Sequence, residues 1–149
     1  MNPRPEGPVS SMMSWPVASI DHEASLEEAA EALAADNIGA LLVLRHGELA
    51  GLVSERDVVI HVAAGSDLSH LHVGEVMATD LVTVAPDTSL AAAARVMVDA
   101  DVRHLPVLDG RLIAGVLSMR DVLRVLVDRA EHEDVVVVPS GTRVVVAGS

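Results

Sequence analysis

The chain has 149 residues, half of them hydrophobic, and a formal net charge of -12. That length suits one compact domain or two small ones sharing a core, and the charge argues against nucleic acid and anionic membrane surfaces as partners. There is no cysteine, which excludes disulfides, thiolate nucleophiles and cysteine metal sites. Phe, Tyr and Lys are absent as well, and Trp15 is the single aromatic residue, so Ala, Val, Leu, Ile and Met must fill the interior. The segment from Met1 to Pro8 is polar, carries three prolines and has no signal-peptide pattern. No apolar run approaches the roughly 18 residues of a membrane span. The expected location is the cytoplasm.

Trp15 before Pro16 reads as a packing anchor, and Val17 to Ile20 as a short extended stretch. Ser25-Leu-Glu-Glu28 fits a capping box, and Leu26, Ala29, Ala30 and Leu33 follow at helical spacing. Ala40 to Leu44 and Leu49 to Val53 read as paired strands, followed by a helix from Glu55 to about Ala63. Gly65 to His72 reads as a linker. Val73 to Met77 reads as a short helical lead-in, and Leu81 to Val84 as extended. A helix then starts at Ser89 and carries Leu90, Ala93, Ala94 and Met97. Leu105 to Leu108 and Leu112 to Leu117 flank Asp109-Gly110, a strong hairpin signal. A last helix runs from Met119 to about Ala130, and Glu131-His-Glu-Asp134 is a charged break. In the tail, Val135 to Val138 and Val144 to Ala147 suit a hairpin around Pro139-Ser-Gly141-Thr.

These elements repeat without gaps at a shift of 64 residues. Gly51-Leu-Val-Ser54-Glu-Arg56-Asp57 falls on Gly115-Val-Leu-Ser118-Met-Arg120-Asp121, Ser25-Leu26 on Ser89-Leu90, Val43-Leu44 on Val107-Leu108 and Met13 on Met77. The reading is α/β (α+β), with the order β-α-β-β-α occurring twice in one pseudo-symmetric body. Residues 9–72 form one repeat, with a linker from about 65. Residues 73–130 form the other, and 131–149 are a tail.

The two copies of G-x-x-S-x-x-D, each on a strand-to-helix junction after a hairpin, resemble those of the tandem CBS (cystathionine-beta-synthase) domain pair, or Bateman module. Asn37-Ile-Gly-Ala-Leu-Leu-Val43 and Val102-Arg-His-Leu-Pro-Val107 carry the same resemblance, which covers roughly residues 9 to 130. It implies two units packed through their sheets and two clefts that bind AMP, ADP, ATP or S-adenosylmethionine. Ser54 and Ser118 stand at helix starts, where a hydroxyl and free backbone N–H groups suit a phosphate. Asp57 and Asp121 follow one turn later as acceptors for ribose hydroxyls. Arg56 and Arg120 either reach phosphate or offset surface acids. Adenine is expected between Val82, Val84, Val102 and Leu105 in repeat two, and between Ala18, Ile20, Ile38 and Leu41 in repeat one. Backbone groups near Gly39, Ala40 and His104 are placed to read the base edge. Thr83, Arg103 and His104 favour phosphate in repeat two, where repeat one has Ser19, Asp21 and Gly39.

Ser-x-x-Asp is also nearly a capping box, and capping alone accounts for the serine and much of the aspartate. His70-x-His72 with His61 nearby lacks the carboxylates of a recognisable metal site. No Ser-His-Asp set and no P-loop is present, so no enzymatic activity and no obligatory cofactor or metal is expected. The expected product is a homodimeric regulatory or energy-sensing module with an adenine ligand and a protein target. The competing reading is a ligand-free dimerisation or protein-interaction module.

Overall fold

The computed structural model describes residues 7–11, 13, 18–131, 134–137 and 143–146, with side chains through Arg129. Trp15 and Val17, and with them the expected packing anchor and the start of the first strand, lie outside the described residues. Repeat one contains β1 (Ser19–Asp21), α1 (Leu26–Asp36), β2 (Ala40–Arg45), β3 (Glu48–Ser54) and α2 (Glu55–Ala63). The short α3 (Val73–Val76) precedes α4 (Leu90–Ala100), β4 (His104–Asp109), β5 (Leu112–Ser118) and α5 (Met119–Glu131). In the tail, β6 (Asp134–Val137) pairs antiparallel with β7 (Arg143–Val146).

The copies agree down to their irregularities. β2 pairs antiparallel with β3 and β4 with β5, and the register slips at the same place in each, between Val43 and Leu44 and between Val107 and Leu108. Such a bulge bends and twists a hairpin locally. The first hairpin turns through His46 and Gly47, both at positive φ (53° and 79°), the backbone that a tight two-residue turn demands.

The first strand is where the copies part. In repeat one, β1 runs parallel to β2, held by Leu42 N–H to the Ala18 carbonyl (3.1 Å) and His22 N–H to the Leu44 carbonyl (2.9 Å). The matched donors in repeat two are Pro106 and Pro86, which have no N–H to give. The expected strand from Leu81 to Val84 shrinks accordingly to a single bridge between Val84 and Val107.

Two cores form. In one, Leu26, Ala29 and Leu33 of α1 pack on Leu41, Val43 and Val53. In the other, Leu90, Ala93 and Met97 of α4 pack on Leu105, Val107 and Leu117. Alternation along β2 puts Leu42 on the opposite face from Leu41 and Val43, yet it is only 1% exposed. Its counterpart Pro106 is buried too. Those faces cover one another, so the units pack through their sheets about a pseudo-twofold axis.

Each core is completed by a segment from the other repeat. Val73 closes the first core and Val9 the second, both with no exposed surface. Leu26 N–H donates to the Leu71 carbonyl, and Leu90 N–H to the Gly7 carbonyl, both at 2.8 Å. Residues 7 and 71 are again 64 apart. The expected linker of residues 65–72 is therefore built structure that lies over the start of α1, and the lead-ins are exchanged between the repeats. Gly51 is explained by this exchange. A Cβ there would lie 2.5 Å from Met77 Sδ and 2.7 Å from the Ala78 carbonyl oxygen. Among the described residues, no helix is long and apolar enough to cross a membrane.

Candidate functional site

The site begins with two helix ends. α1 stops at Asn37 and α4 at Asp101, matched residues in the left-handed region (φ 51° and 53°). Asn and Asp tolerate that backbone better than other side-chain-bearing residues. Ile38 N–H returns to the Leu33 carbonyl at 3.1 Å and Val102 N–H to the Met97 carbonyl at 3.0 Å, the six-residue closure of a Schellman end. The chain then turns into β2 and β4 and presents residues 38–40 and 102–104 at the strand starts.

The helices after the hairpins are tied to those starts. Glu55 N–H donates to the Gly39 carbonyl (3.0 Å), and Met119 N–H to the Arg103 carbonyl (2.8 Å). Here the Ser-x-x-Asp motifs act as caps. Asp121 Oδ2 accepts from Ser118 N–H and from Ser118 Oγ, both at 2.8 Å, and Asp121 N–H donates to Ser118 Oγ at 3.1 Å. Asp57 Oδ2 takes the Ser54 N–H at 2.8 Å and the Ser54 hydroxyl at 3.1 Å. The cap uses one carboxylate oxygen, Oδ2, and Oδ1 accepts none of these bonds.

Around Asp121 lies a cleft of about 750 Å³, within the usual range for small-molecule sites. Repeat two supplies Arg103, His104, Ser118, Arg120 and Asp121, with Asp101, Val116, Met119, Leu123 and Arg124 beside them. Repeat one supplies Ala18 and the turn from Asn37 to Ala40. The cleft is thus a joint product of both repeats. The His104 imidazole occupies the seam, where a Cβ on Gly39 would come within 3.3 Å of two ring atoms. Burial pushes the His104 pKa below its ordinary value; Asp121 and Glu55 oppose that shift and Arg103 adds to it.

Of the residues expected at a site, the cleft gathers Ile38, Gly39, Ala40, Arg103, His104, Ser118, Arg120 and Asp121. Leu105, expected beside the base, is instead a core residue with no exposed surface. Val82, Val84 and Val102 pack against the core of repeat two, and Ile20 against that of repeat one. Ser19 is exposed on β1 and Thr83 is exposed beside the Val84 bridge, both outside this cleft. Ser54, Arg56 and Asp57 occupy the matched junction in repeat one. The cleft adds Arg124, which the motif does not include; its spacing from Arg120, one helical turn, is the sequence signal for it.

His70 is engaged locally: its Nδ1 lies 2.7 Å from Asp67 Oδ2. Hydrogen bonds from Ser69 and His70 hold the Asp67 carboxyl below the usual carboxylate range. No group of three or more His, Asp or Glu able to hold a metal ion occurs among the described residues.

Comparison with known proteins identifies the family of both repeats. The model of the CBS domain matches twice, over residues 9–64 and 73–128. The chain is 31% identical over 113 residues to the CBS domain-containing protein YhcV of Bacillus subtilis (strain 168), covering 76% of this chain and 81% of YhcV. The crystal structure of the CBS domain NE2398 superposes with a TM-score of 0.75 at 29% identity, covering 80% of this chain and 97% of that one. The CBS domain pair of MJ0100, solved with 5'-methylthioadenosine and S-adenosyl-L-methionine, shares the fold with a TM-score of 0.77 at 24% identity, over 84% of this chain and 99% of that one.

Proposed function

The chain belongs to the CBS-domain family, as two tandem copies, and on that premise we propose that it binds an adenine-containing ligand in the Asp121 cleft and serves as a regulatory module, not an enzyme. The observation that carries this reading is the composition of the cleft. One wall offers aliphatic surface from Ala18, Ile38 and Ala40, and the other a capped carboxylate and arginines. Adenine lies against the aliphatic wall, with backbone groups of Gly39 and Ala40 at its edge. The ribose hydroxyls donate to Asp121 Oδ1, while Ser118 keeps Oδ2 in place. Arg103 and Arg120 face the rest of the ligand. Because the walls come from different repeats, a bound ligand bridges them and favours the arrangement in which they face one another, which is how occupancy becomes a signal to a protein target.

A shift of 64 residues sets Val82, Val102, Arg103 and His104 opposite Ser54, Arg56 and Asp57. This is the second cleft of the proposal, with Thr83 and Val84 flanking it as Ser19 and Ile20 flank the first.

The assembly proposed is a homodimer through α2 and α5. Val59 and Val62 on α2 are 64% and 59% exposed, and their counterparts Leu123 and Leu126 on α5 are 53% and 47% exposed. An apolar stripe repeated on both helices gives a self-complementary surface, as a twofold interface requires.

The test is calorimetry on protein purified under denaturing conditions and refolded free of nucleotide, titrated with AMP, ADP, ATP and S-adenosylmethionine, the last because MJ0100 binds it. An affinity in the micromolar to millimolar range, about -8 to -4 kcal/mol, supports the reading. No heat with any of them at millimolar concentration leaves the ligand-free dimerisation module in its place.

A further inference from the structure

We infer that the Asp121 cleft selects phosphate-bearing adenine nucleotides over the sulfonium cation S-adenosylmethionine, that Arg124 sets this preference, and that the matched junction in repeat one lacks it. The inference rests on the adenine reading above and goes on to assign the ligand's charge. The chain carries ten basic residues, all arginine, against 22 acidic ones. Three of those arginines, Arg103, Arg120 and Arg124, line this one cleft. They are opposed there by Asp101 and Asp121, and Asp121 has one oxygen already committed to the Ser118 cap. Arg120 and Arg124 stand one turn apart on α5, so their guanidinium groups share a face. Two neighbouring planar forks suit the oxygens of a di- or triphosphate and repel a cation.

The duplicated sequence supplies an internal comparison. Arg56 keeps the place of Arg120, but Ile60 stands where Arg124 does and Glu55 where Met119 does. The junction in repeat one is therefore two charge units more negative. Glu55 opens α2 beside the Ser54 cap, where an incoming phosphate would meet a carboxylate. Its field reaches the seam as well, since Glu55 favours the protonated form of His104.

The experiment titrates nucleotide-free full-length chain with ATP, adenosine, S-adenosylmethionine and inorganic tripolyphosphate, and repeats the series on Arg124→Leu. Arg124 is exposed, and a thermal melt checks that the variant keeps its fold. ATP is expected to bind at least tenfold tighter than adenosine or S-adenosylmethionine, with a stoichiometry of one. Arg124→Leu is expected to weaken ATP about tenfold, the loss of one charge-assisted contact, and to leave adenosine unchanged. Equal affinity for all three adenine compounds, or an equal loss for all three in the variant, overturns this inference while the adenine reading stands. Binding of tripolyphosphate alone overturns the adenine reading and keeps the anion site. No binding by any probe overturns both.

Discussion

Replacing Asp121 and Asp57 by alanine, one at a time, separates capping from ligand binding, because the structure makes the two aspartates near-equivalent caps, whereas the proposed function makes them unequal ligand residues. Each aspartate accepts two hydrogen bonds from its serine, at 2.8 and 2.8 Å for Asp121 and at 2.8 and 3.1 Å for Asp57. Loss of a cap costs about 0.5–2 kcal/mol, and both sites are only partly buried, so each variant should lose about 1–2 kcal/mol of stability. That is a few degrees in Tm, and in a domain stable by roughly 5–15 kcal/mol the protein stays folded. Ligand affinity should then diverge. Asp121→Ala removes at least one charge-assisted bond to ribose, worth about 1.5–3 kcal/mol, so Kd for ATP rises tenfold or more. Asp57→Ala leaves ATP affinity within a factor of about two. Urea unfolding gives the first quantity and calorimetry the second. If both variants lose stability alike and neither changes Kd, the Ser-x-x-Asp motif is a cap alone and the ribose role of Asp121 is wrong.

Gly51→Ala should destabilise by about 1–3 kcal/mol. Met77→Ala in the same chain should recover only part of that, since the Ala78 carbonyl stays 2.7 Å from the new Cβ; urea midpoints within error of wild type would contradict the exchanged lead-ins. Burial holds the His104 pKa below that of the unfolded chain, so the unfolded state takes the proton first. Stability is then full above the ordinary pKa of about 6.5, falls as pH drops below it, and levels off beneath the folded-state value. His104→Gln should flatten that part of the melting profile, and an unchanged slope would remove His104 as its source. Leu126→Asp should turn a dimer into a monomer by light scattering without lowering Tm much, because Leu126 is already 47% exposed; a dimer that persists moves the interface elsewhere.

Local features of the fold were legible in the sequence because their causes are local. Ser25 with Glu28 forms the anticipated capping box, and positive φ at Gly110 accompanies the anticipated Asp109-Gly110 turn. The repeat gave the pseudo-symmetry. Nothing local could assign partners across it. The shift of 64 is the same whether Val9 packs on its own repeat or on the other, so the exchange of lead-ins stayed hidden. For the same reason the expected apolar walls come from the motif's own repeat, whereas Ala18 and Ile38 of repeat one line the same cleft as Asp121 of repeat two. The shortened first strand of repeat two was written in Pro86 and Pro106. It required knowing which N–H groups the parallel ladder uses.

On the inference above, the positions where the two copies differ set the ligand preference, and they can be exchanged. Ser54 and Ser118, Asp57 and Asp121, Asn37 and Asp101 hold backbone in place, so either copy would lose stability without them. Glu55 and Ile60 bear no such duty. Glu55 is exposed and Ile60 is 51% exposed, so Glu55→Met with Ile60→Arg gives repeat one the side chains of repeat two at little cost to the fold. Removing a carboxylate and adding a guanidinium changes the local charge by two units, beside an Arg56 already in position. If charge at these positions decides which junction takes a nucleotide, ATP stoichiometry rises from one to two. The added site has an affinity within about tenfold of the first, and Asp57→Ala abolishes it. A stoichiometry still at one, in a variant with a normal melt, would mean that the aliphatic wall opposite Asp57 is what repeat one lacks, and that arginine placement does not set occupancy.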